Sequence, residues 1–401
     1  MSNRQQRQLR QRAARKEKLR KQKARDQQQA RTQNTPARTS PAAMMRTAVD
    51  LHQAGRFDEA DKLYQWVLAA DPDHADALSS RAMIRHQAGH PDEAVELLQR
   101  AIGIVGDNPG YFMNLGTAQV AAGHSQDAEQ AYRRAIELAP GYADPYYNLG
   151  DLYLRLGNPD AAIKVFDQCM ATRGRDYHAL AYKAHALDDA GRHEEARYLL
   201  DFDRYVKAYP FEAPEGFASI EAFNAALAEH VQAHPTLRSD VMSTEHGKHT
   251  SELLKAPRGP MGAMELRIHE AVRWYITQLP DDPEHPAVRW VPGHWKLTTW
   301  GVVMLDRGHE RAHIHPNGWL SGVFYLQLPD LIDDPKRNHE GWLEFGRPTR
   351  ELHVTSLPVT RHYKPTYGEM VLFPSYFYHG TIPFRSRQRR ICVAFDVEPL
   401  D

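Results

Sequence analysis

The sequence of 401 residues predicts a multidomain α + β protein: an N-terminal α-solenoid, a helical lead-in and a C-terminal jelly-roll domain, or double-stranded β-helix. Two observations predict this fold class. Glycines recur every 34 residues through the first half of the chain, which indicates stacked helix pairs. From residue 290 onward, short β-like segments follow one another without helices between them, which indicates a sandwich or a barrel.

Residues 1 to 42 are predicted to form a basic, disordered tail. The first 40 residues contain nine Arg and four Lys against two acidic residues, so the rest of the chain carries a net charge of −12. Such a segment has too few apolar side chains to bury the surface that folding requires. Two interpretations remain open: an arm that binds a polyanion such as nucleic acid, or a solubilising tail without a specific partner.

The composition predicts a cytoplasmic protein with no membrane partner. The hydrophobic share of 42% and the charged share of 25% are typical of globular chains. Cys169 and Cys392 are too few and too far apart for a disulfide framework, which favours a reducing compartment. No apolar segment approaches the roughly 18 residues that a bilayer-spanning helix needs, and the basic N-terminus lacks the apolar core of a signal peptide.

Residues 43 to 203 are predicted to form five helix-pair repeats. Two sets of small residues keep the 34-residue spacing: Gly55, Gly89, Gly123, Gly157 and Gly191, and Ala60, Ala94, Ala128, Ala162 and Ala196. Stretches such as HQAGRFDEADKLY indicate a helix that ends at the glycine and an amphipathic helix after it. This array resembles the tetratricopeptide repeat, and its small residues are expected to permit close helix crossing.

The first helices of such an array form a concave face, which usually serves as a groove for a protein or peptide. Asn114 and Asn148 lie one period apart in this predicted groove and should project side by side. By resemblance to tetratricopeptide domains that hold extended peptides, both are predicted to hydrogen-bond a peptide backbone. The alternative is that each is an exposed polar residue between core positions.

Residues 204 to 289 are predicted to form a helical lead-in with two amphipathic helices, EAFNAALAEHVQAH and MELRIHEAVRWYITQLP. Residues 290 to 401 are predicted to form the jelly-roll core. Its strands are expected at KLTTWGVVML, LSGVFYLQL, GWLEFG, ELHVTSLPVT, EMVLFP and RICVAFDV.

Three histidines of the β region, His313, His315 and His379, are predicted to form a metal site. Strands of a jelly roll pair far from their sequence neighbours, so a histidine before one strand can meet a histidine after another. Imidazole suits Fe, Cu, Ni and Zn, so the residue type does not choose the metal. Eleven residues beyond His379, Arg390 opens the last strand. If it points into the barrel, strand alternation turns Cys392 and Ala394 the same way.

These segments resemble a known family, the 2-oxoglutarate- and Fe(II)-dependent oxygenases that follow a tetratricopeptide array. The matching pieces are HIHPNGWLSGVFYLQLP, GWLEFGRP, GEMVLFPSYFYHGTIPF and RICVAFDVEP, with FNAALAEHV and GKHTSELL in the lead-in. The resemblance implies Fe(II) at the histidines, 2-oxoglutarate as co-substrate, and O₂. It makes His313 the first ligand, His379 the distal ligand and Arg390 the anchor of the far carboxylate of 2-oxoglutarate.

Two nearby aromatic residues are further candidates. Tyr325, two positions beyond Val323 on the same strand, is predicted to offer its hydroxyl to the 2-oxoglutarate carboxylate; packing in the core is the alternative. Trp319, beside the metal loop, is a candidate for contact with substrate, and a place in the apolar wall of the barrel is the alternative.

His315 departs from the family's pattern, which has Asp or Glu at this position. Three arrangements therefore remain open: a site of three histidines, a site of two histidines and water, or a site in which His315 is the first ligand and His313 lies behind it.

The predicted activity is that of a 2-oxoglutarate/Fe(II)-dependent dioxygenase that hydroxylates a protein or peptide side chain recruited by the repeats. Two alternatives remain. A non-enzymatic scaffold would not need the histidines, and a cupin-like metalloenzyme without 2-oxoglutarate would not need Arg390.

Overall fold

The computed structural model describes residues 40–239, 244–255 and 257–401, so the predicted basic tail lies almost wholly outside the described residues. The chain divides into two compact units, Met1–Gly123 and His124–Asp401. This division falls inside the predicted repeat array. Within the described residues, no helix combines the length and the apolar character that crossing a bilayer requires.

Ten helices lie in the region of the predicted repeats. The first unit contains α1 (Pro41–Gln53), α2 (Phe57–Ala70), α3 (Ala75–Gln87), α4 (Pro91–Val105) and α5 (Pro109–Ala121). The second unit begins with α6 (Ser125–Leu138), α7 (Asp144–Arg155), α8 (Pro159–Arg173), α9 (Tyr177–Asp189) and α10 (His193–Leu199). Proline at the first or second position of α1, α4, α5, α7 and α8 starts these helices, because its missing N–H has no partner there in any case.

The repeated glycines and alanines have different roles. All five glycines follow the first helix of a pair and have φ between 69° and 82°, the left-handed conformation in which other residues are strained. A Cβ atom built on any of them would meet no atom within 4 Å. The repeated alanines are instead almost fully buried, at 0 to 4% exposure. Close packing of the helices therefore depends on the alanines, and the prediction that the glycines also permit it was wrong.

The lead-in is not purely helical. Residues 202 to 289 contain α11 (Phe202–Tyr205), α12 (Ile220–Ala233), α13 (Met261–Thr277) and α14 (Pro286–Arg289), together with β1 (Lys207–Tyr209) and β2 (Thr244–His249). The two strands form the two edges of the large sheet. One is three residues long and the other has the polar sequence TEHGKH, so neither shows the apolar pattern by which a strand is predicted.

The β region consists of two antiparallel sheets. Its strands are β3 (Trp295–Glu310), β4 (Leu320–Gln327), β5 (Leu343–Phe345), β6 (Arg361–Tyr363), β7 (Met370–Pro374), β8 (His379–Thr381) and β9 (Arg390–Pro399). The large sheet has the order β1-β7-β4-β9-β3-β2, and the small sheet has the order β6-β5-β8. Strands distant in sequence thus lie side by side, which is consistent with the predicted jelly roll.

The segment ELHVTSLPVT, predicted as a strand, is a loop that binds two repeat helices of the same unit. The backbone N–H of His353 donates to Asp151 of α7 at 2.9 Å. The N–H groups of Thr355 and Ser356 donate to Asp189 of α9 at 2.9 and 2.6 Å. Because these backbone N–H groups already donate to carboxylates, they cannot also form the hydrogen bonds of a sheet. The strand begins only at Arg361, after the loop.

Further contacts join the last repeats to the β region within the second unit. The hydroxyl of Tyr376 donates to the carbonyl of Leu199 at 2.6 Å. His185 of α9 is buried, packs against the ring of Tyr378 with centroids 5.4 Å apart, and has its pKa lowered to about 4 by burial. These contacts explain why the last repeats and the β region form one compact unit.

We predict that Asp189→Ala lowers the free energy of unfolding by about 1–2 kcal/mol, because two backbone donors lose a charged acceptor. Proteolytic cleavage between residues 351 and 360 should increase as the loop is released. Asp189→Asn keeps one acceptor oxygen and should show a smaller effect on both measurements. Urea unfolding and limited proteolysis check this prediction, and equal cleavage of all three proteins would contradict it.

Candidate metal centre

His313, His315 and His379 are held together by backbone hydrogen bonds. His313 and His379 pair as an antiparallel bridge, with both N–H···O distances at 3.0 Å. The N–H of His315 donates to the carbonyl of Ser375, also at 3.0 Å. The ring centroids of the three histidines are 4.4 to 5.0 Å apart, and one possible ligand atom from each lies within 4.8 Å of the others.

Hydrogen bonds select the nitrogen that each ring can offer to a metal. Nδ1 of His313 lies 2.8 Å from the carbonyl oxygen of Arg311, and Nδ1 of His379 lies 2.9 Å from that of Phe377. Nδ1 of His315 lies 2.8 Å from Oδ2 of Asp396. These oxygens only accept, so each Nδ1 carries the hydrogen. Nε2 of each neutral ring is therefore left as a ligand atom.

Burial and neighbouring charged groups shift the pKa of each of the three histidines. Burial, together with the charge of the neighbouring histidines, lowers the pKa of His313 and holds the pKa of His379 well below its usual range. Burial opposes the charge on His315 as well, but the carboxylate of Asp396 outweighs it and raises the pKa of that ring. A metal needs neutral imidazoles, and His313 and His379 already favour that form.

Asp396 holds His315 in place and was missed in the sequence. Its Oδ1 accepts a hydrogen bond of 2.7 Å from Ser321, whose oxygen lies 2.8 Å from that of Ser375. The carboxylate is buried at 8% exposure. A carboxylate behind a ligating histidine orients the ring and makes it more basic. Alternation along RICVAFDV, already applied to Arg390, Cys392 and Ala394, would have placed Asp396 on the same face.

Arg390 lines the same cavity as the three histidines. It is buried at 2% exposure, and its Nη1 lies 3.7 Å from the sulfur of Met304 and 3.8 Å from that of Cys392. Among the described residues, its Nε has no hydrogen-bond partner and no carboxylate forms an ion pair with Arg390. A buried cation without a partner is costly, so this arrangement favours an anionic ligand.

Tyr325 lies against Arg390, whose guanidinium carbon is 5.1 Å from the centre of the tyrosine ring. The side chain is fully buried and its hydroxyl has no hydrogen-bond partner among the described residues. Burial raises the pKa of Tyr325, so the hydroxyl keeps its proton and can donate. The structure thus brings two unpartnered buried donors together, one on Arg390 and one on Tyr325.

The remaining candidates are not among the residues that line this cavity. Trp319 is 2% exposed, donates its indole N–H to the carbonyl of Ala287 at 3.0 Å and packs against Tyr275. It presents no surface to a substrate and contributes to the core, the alternative considered for it.

Asn114 is half-buried and donates to the Ser79 hydroxyl at 3.2 Å. Asn148 is half-buried in α7, and peptide binding by both stays a prediction.

A second carboxylate, Glu310, lines the cavity and was also missed. It lies three residues before His313, in a charged stretch that gives no signal of burial. Its Oε1 is 3.0 Å from Nε2 of His249, which is buried. The lead-in strand that carries His249 was not predicted either, so nothing in the sequence connected these two residues.

The donor set fits a divalent transition metal held by three neutral imidazoles. The apolar cavity wall, which includes Val323, Leu343, Phe373 and Phe395, can exclude water from such a site. The unpartnered donors of Arg390 and Tyr325 fit a carboxylate. Together these groups can hold a metal and a small carboxylate ligand in one cavity.

Comparison with known families assigns two parts of the chain. Residues 298–396 match a family described as "Putative 2OG-Fe(II) oxygenase". Residues 45–109, 113–169 and 147–213 match the tetratricopeptide repeat. No protein of curated function gives a significant sequence match to the chain.

Several solved structures are similar to part of the chain. MamA is 28% identical with a TM-score of 0.35, and the match covers 39% of this chain and 85% of MamA. TTC0263, a thermophilic TPR protein of Thermus thermophilus, is 24% identical with a TM-score of 0.35, covering 41% of this chain and 91% of its own. YrrB, described as a TPR protein with an unusual peptide-binding site, is 20% identical with a TM-score of 0.35. The match covers 41% of this chain and 86% of YrrB.

We predict that Asp396→Asn weakens metal binding about 10- to 100-fold, because His315 loses the carboxylate that orients it and raises its basicity. Anaerobic titration of the metal-free protein with Mn(II) or Co(II) against a chromophoric chelator measures the effect. Ser321→Ala removes a hydrogen bond of Asp396 but not its charge, so it should cause a smaller loss. Wild-type affinity in Asp396→Asn would contradict this role.

All three histidines and Arg390 fall within residues 298–396, and the ten repeat helices fall largely within residues 45–213. The chain thus carries a tetratricopeptide repeat array and, C-terminal to it, a domain that matches the 2OG-Fe(II) oxygenase family.

Proposed function

We propose that the β domain is a 2-oxoglutarate- and Fe(II)-dependent dioxygenase that hydroxylates a protein or peptide side chain recruited by the repeats. The observation that carries this proposal is Arg390, a buried cation without a carboxylate partner among the described residues, in one cavity with three histidines. A metal site alone would not need that cation. A metal site that also binds a dicarboxylate would need such a cation to pair with the second carboxylate.

Each residue has a part in this proposal. His313, His315 and His379 hold Fe(II) through Nε2, and their Nδ1–H bonds to fixed oxygens keep the rings in place. Arg390 binds the far carboxylate of 2-oxoglutarate through its guanidinium, and Tyr325 can add its hydroxyl. Cys392 and Ala394 line the cavity beside Arg390 and are small enough to leave room for the ligand.

Fe(II), 2-oxoglutarate and O₂ together supply the oxidising power for inserting oxygen into a C–H bond. The chain contributes orientation and exclusion of water. Trp300 stacks on the His315 ring with centroids 5.3 Å apart and an angle of 20°, so that ring is fixed on its face as well as at Nδ1. Phe373 packs edge-on against His379 at 4.6 Å. These contacts keep the ligand set rigid and its apolar side closed to solvent.

A cupin-like metalloenzyme that does not use 2-oxoglutarate is the second candidate. The observation that favours it is the ligand set, which contains His315 where the oxygenase pattern has a carboxylate. In that case Arg390 would have no anion to bind. The same experiment therefore separates the two candidates. A non-enzymatic adaptor, with a structural metal or with none, would not convert 2-oxoglutarate to succinate.

We predict that anaerobic addition of Fe(II) and then 2-oxoglutarate produces a visible metal-to-ligand charge-transfer band, and that O₂ converts 2-oxoglutarate to an equal amount of succinate. In Arg390→Ala the affinity for 2-oxoglutarate should fall at least about 30-fold, corresponding to roughly 2 kcal/mol for a buried charge pair. Metal affinity should be retained, because Arg390 is not a ligand.

Arg389→Ala is the matched control, since Arg389 is the exposed neighbour that hydrogen-bonds Gln232 and not the cavity. It should bind 2-oxoglutarate like the wild type. Metal binding without any 2-oxoglutarate affinity in the wild type would favour the cupin-like candidate. Absence of metal binding would favour the adaptor.

Recruitment by the repeats gives a separate prediction. Asn114→Ala and Asn148→Ala should reduce hydroxylation of a peptide substrate, because each removes a proposed hydrogen bond to the peptide backbone. Neither should change the affinity for Fe(II) or 2-oxoglutarate, since both residues lie on repeat helices. Mass-spectrometric detection of hydroxylated peptides, with succinate formation in the absence of substrate as the reference, measures both effects. Equal hydroxylation by all variants would contradict recruitment through these residues.

A further inference from the structure

Glu310 lies at the end of β3, where the strand departs from regular pairing. Met304 pairs with Gly247 and His309 pairs with Glu245, so β3 advances by five residues where β2 advances by two. Arg307 within this bulge has φ 65°, which bends the strand. The bulge brings Glu310 to the cavity wall that also contains His313 and Arg390.

Glu310 is held as a carboxylate at this position. Its Oε1 lies 3.0 Å from Nε2 of His249, and His249 also contacts the hydroxyl of Thr244. Burial alone would raise the pKa of Glu310. The hydrogen bond with His249 and the electrostatic influence of nearby His313 and Arg390 outweigh burial and lower this pKa to about 2.

The charge of Glu310 acts on the whole ligand set. His313, His315 and His379 line the same cavity as Glu310, so all three rings lie in the field of its charge. The Glu310 side chain keeps 16% of its surface exposed. Its carboxylate oxygens do not belong to the cluster of possible ligand atoms that the three histidines form. Glu310 therefore influences the site through its charge and not as a direct ligand.

The proposed metal ligands bring no negative charge to the cavity. The three imidazoles are neutral ligands, and Arg390 adds a positive charge to the same cavity. A divalent cation bound there gains no charge compensation from its direct ligands. Among the described residues, the carboxylates that line this cavity are Asp396, which is bonded to His315, and Glu310.

We propose that Glu310 supplies, from the cavity wall, the negative charge that the ligand set lacks at His315, so that it strengthens metal binding and weakens binding of the 2-oxoglutarate dianion. The first half concerns the metal site alone, and the second half rests on the proposed function. Because one charge acts on two ligands of opposite sign, its removal must change their affinities in opposite directions.

The test is Glu310→Gln, which keeps the shape of the side chain and an oxygen that can accept from His249. Titration of the metal-free protein with Mn(II) should show affinity reduced about 10- to 100-fold. The affinity of the Mn(II)-saturated variant for 2-oxoglutarate, measured by calorimetry without O₂, should instead increase about 3- to 10-fold. A structural role of Glu310 would weaken both.

Two further variants separate charge from packing. Glu310→Asp keeps the charge and should keep most of the Mn(II) affinity. Glu245→Gln makes the same chemical change on β2, where Glu245 faces Arg311 and His309 outside the cavity, and should leave both affinities unchanged. Thermal unfolding of the metal-free proteins verifies that each variant is folded.

Loss of both affinities in Glu310→Gln, or no change in either, would overturn the proposal. So would equal losses of Mn(II) affinity in Glu310→Asp and Glu310→Gln. A wild-type protein that binds Mn(II) but not 2-oxoglutarate would sink the proposed function instead. The Mn(II) titrations of the two Glu310 variants would then decide the role of Glu310 by themselves.

Discussion

The antiparallel pairing of His313 with His379 is the interaction on which the rest of the site depends. Two backbone hydrogen bonds of 3.0 Å join the segment after β3 to the start of β8, and so connect the large sheet to the small one. The pairing places both imidazoles on one side of the cavity, and His315 follows because its N–H is bonded to Ser375. Because backbone atoms make these bonds, the positions of the rings do not depend on a bound metal.

Strand β9 provides the charged groups that serve this centre. It lies between β4 and β3 in the large sheet, and its residues 390, 392, 394 and 396 line the cavity. Arg390 at its start faces the proposed 2-oxoglutarate, and Asp396 near its end fixes His315. The two-residue period of a strand therefore puts a cation and an anion about 20 Å apart along one face, at roughly 3.3 Å per residue. Glu310 enters the same cavity from β3, which pairs with β9.

Much of this arrangement could be predicted, and the exceptions share a physical cause. The ten repeat helices, the three clustered histidines and the inward face of β9 each leave a periodic pattern or a recognisable motif. The loop at 351–360 carries a strand-like pattern, but Asp151 and Asp189 take its backbone donors. Edge strands β1 and β2 are too short or too polar to show a pattern. In both cases a partner distant in sequence decides the local structure.

The sequence by itself determined the order of the domains, the repeat period, the three histidines and Arg390, because these depend on spacing within one segment. Only the tertiary structure decided which nitrogen of each imidazole is available, why Asp396 and Glu310 belong to the site, and that Trp319 is a core residue. These features depend on hydrogen bonds and burial between segments up to 81 residues apart, as in the pair of His315 and Asp396. The spacing of residues along the chain does not predict such contacts, because only the fold brings the partners together.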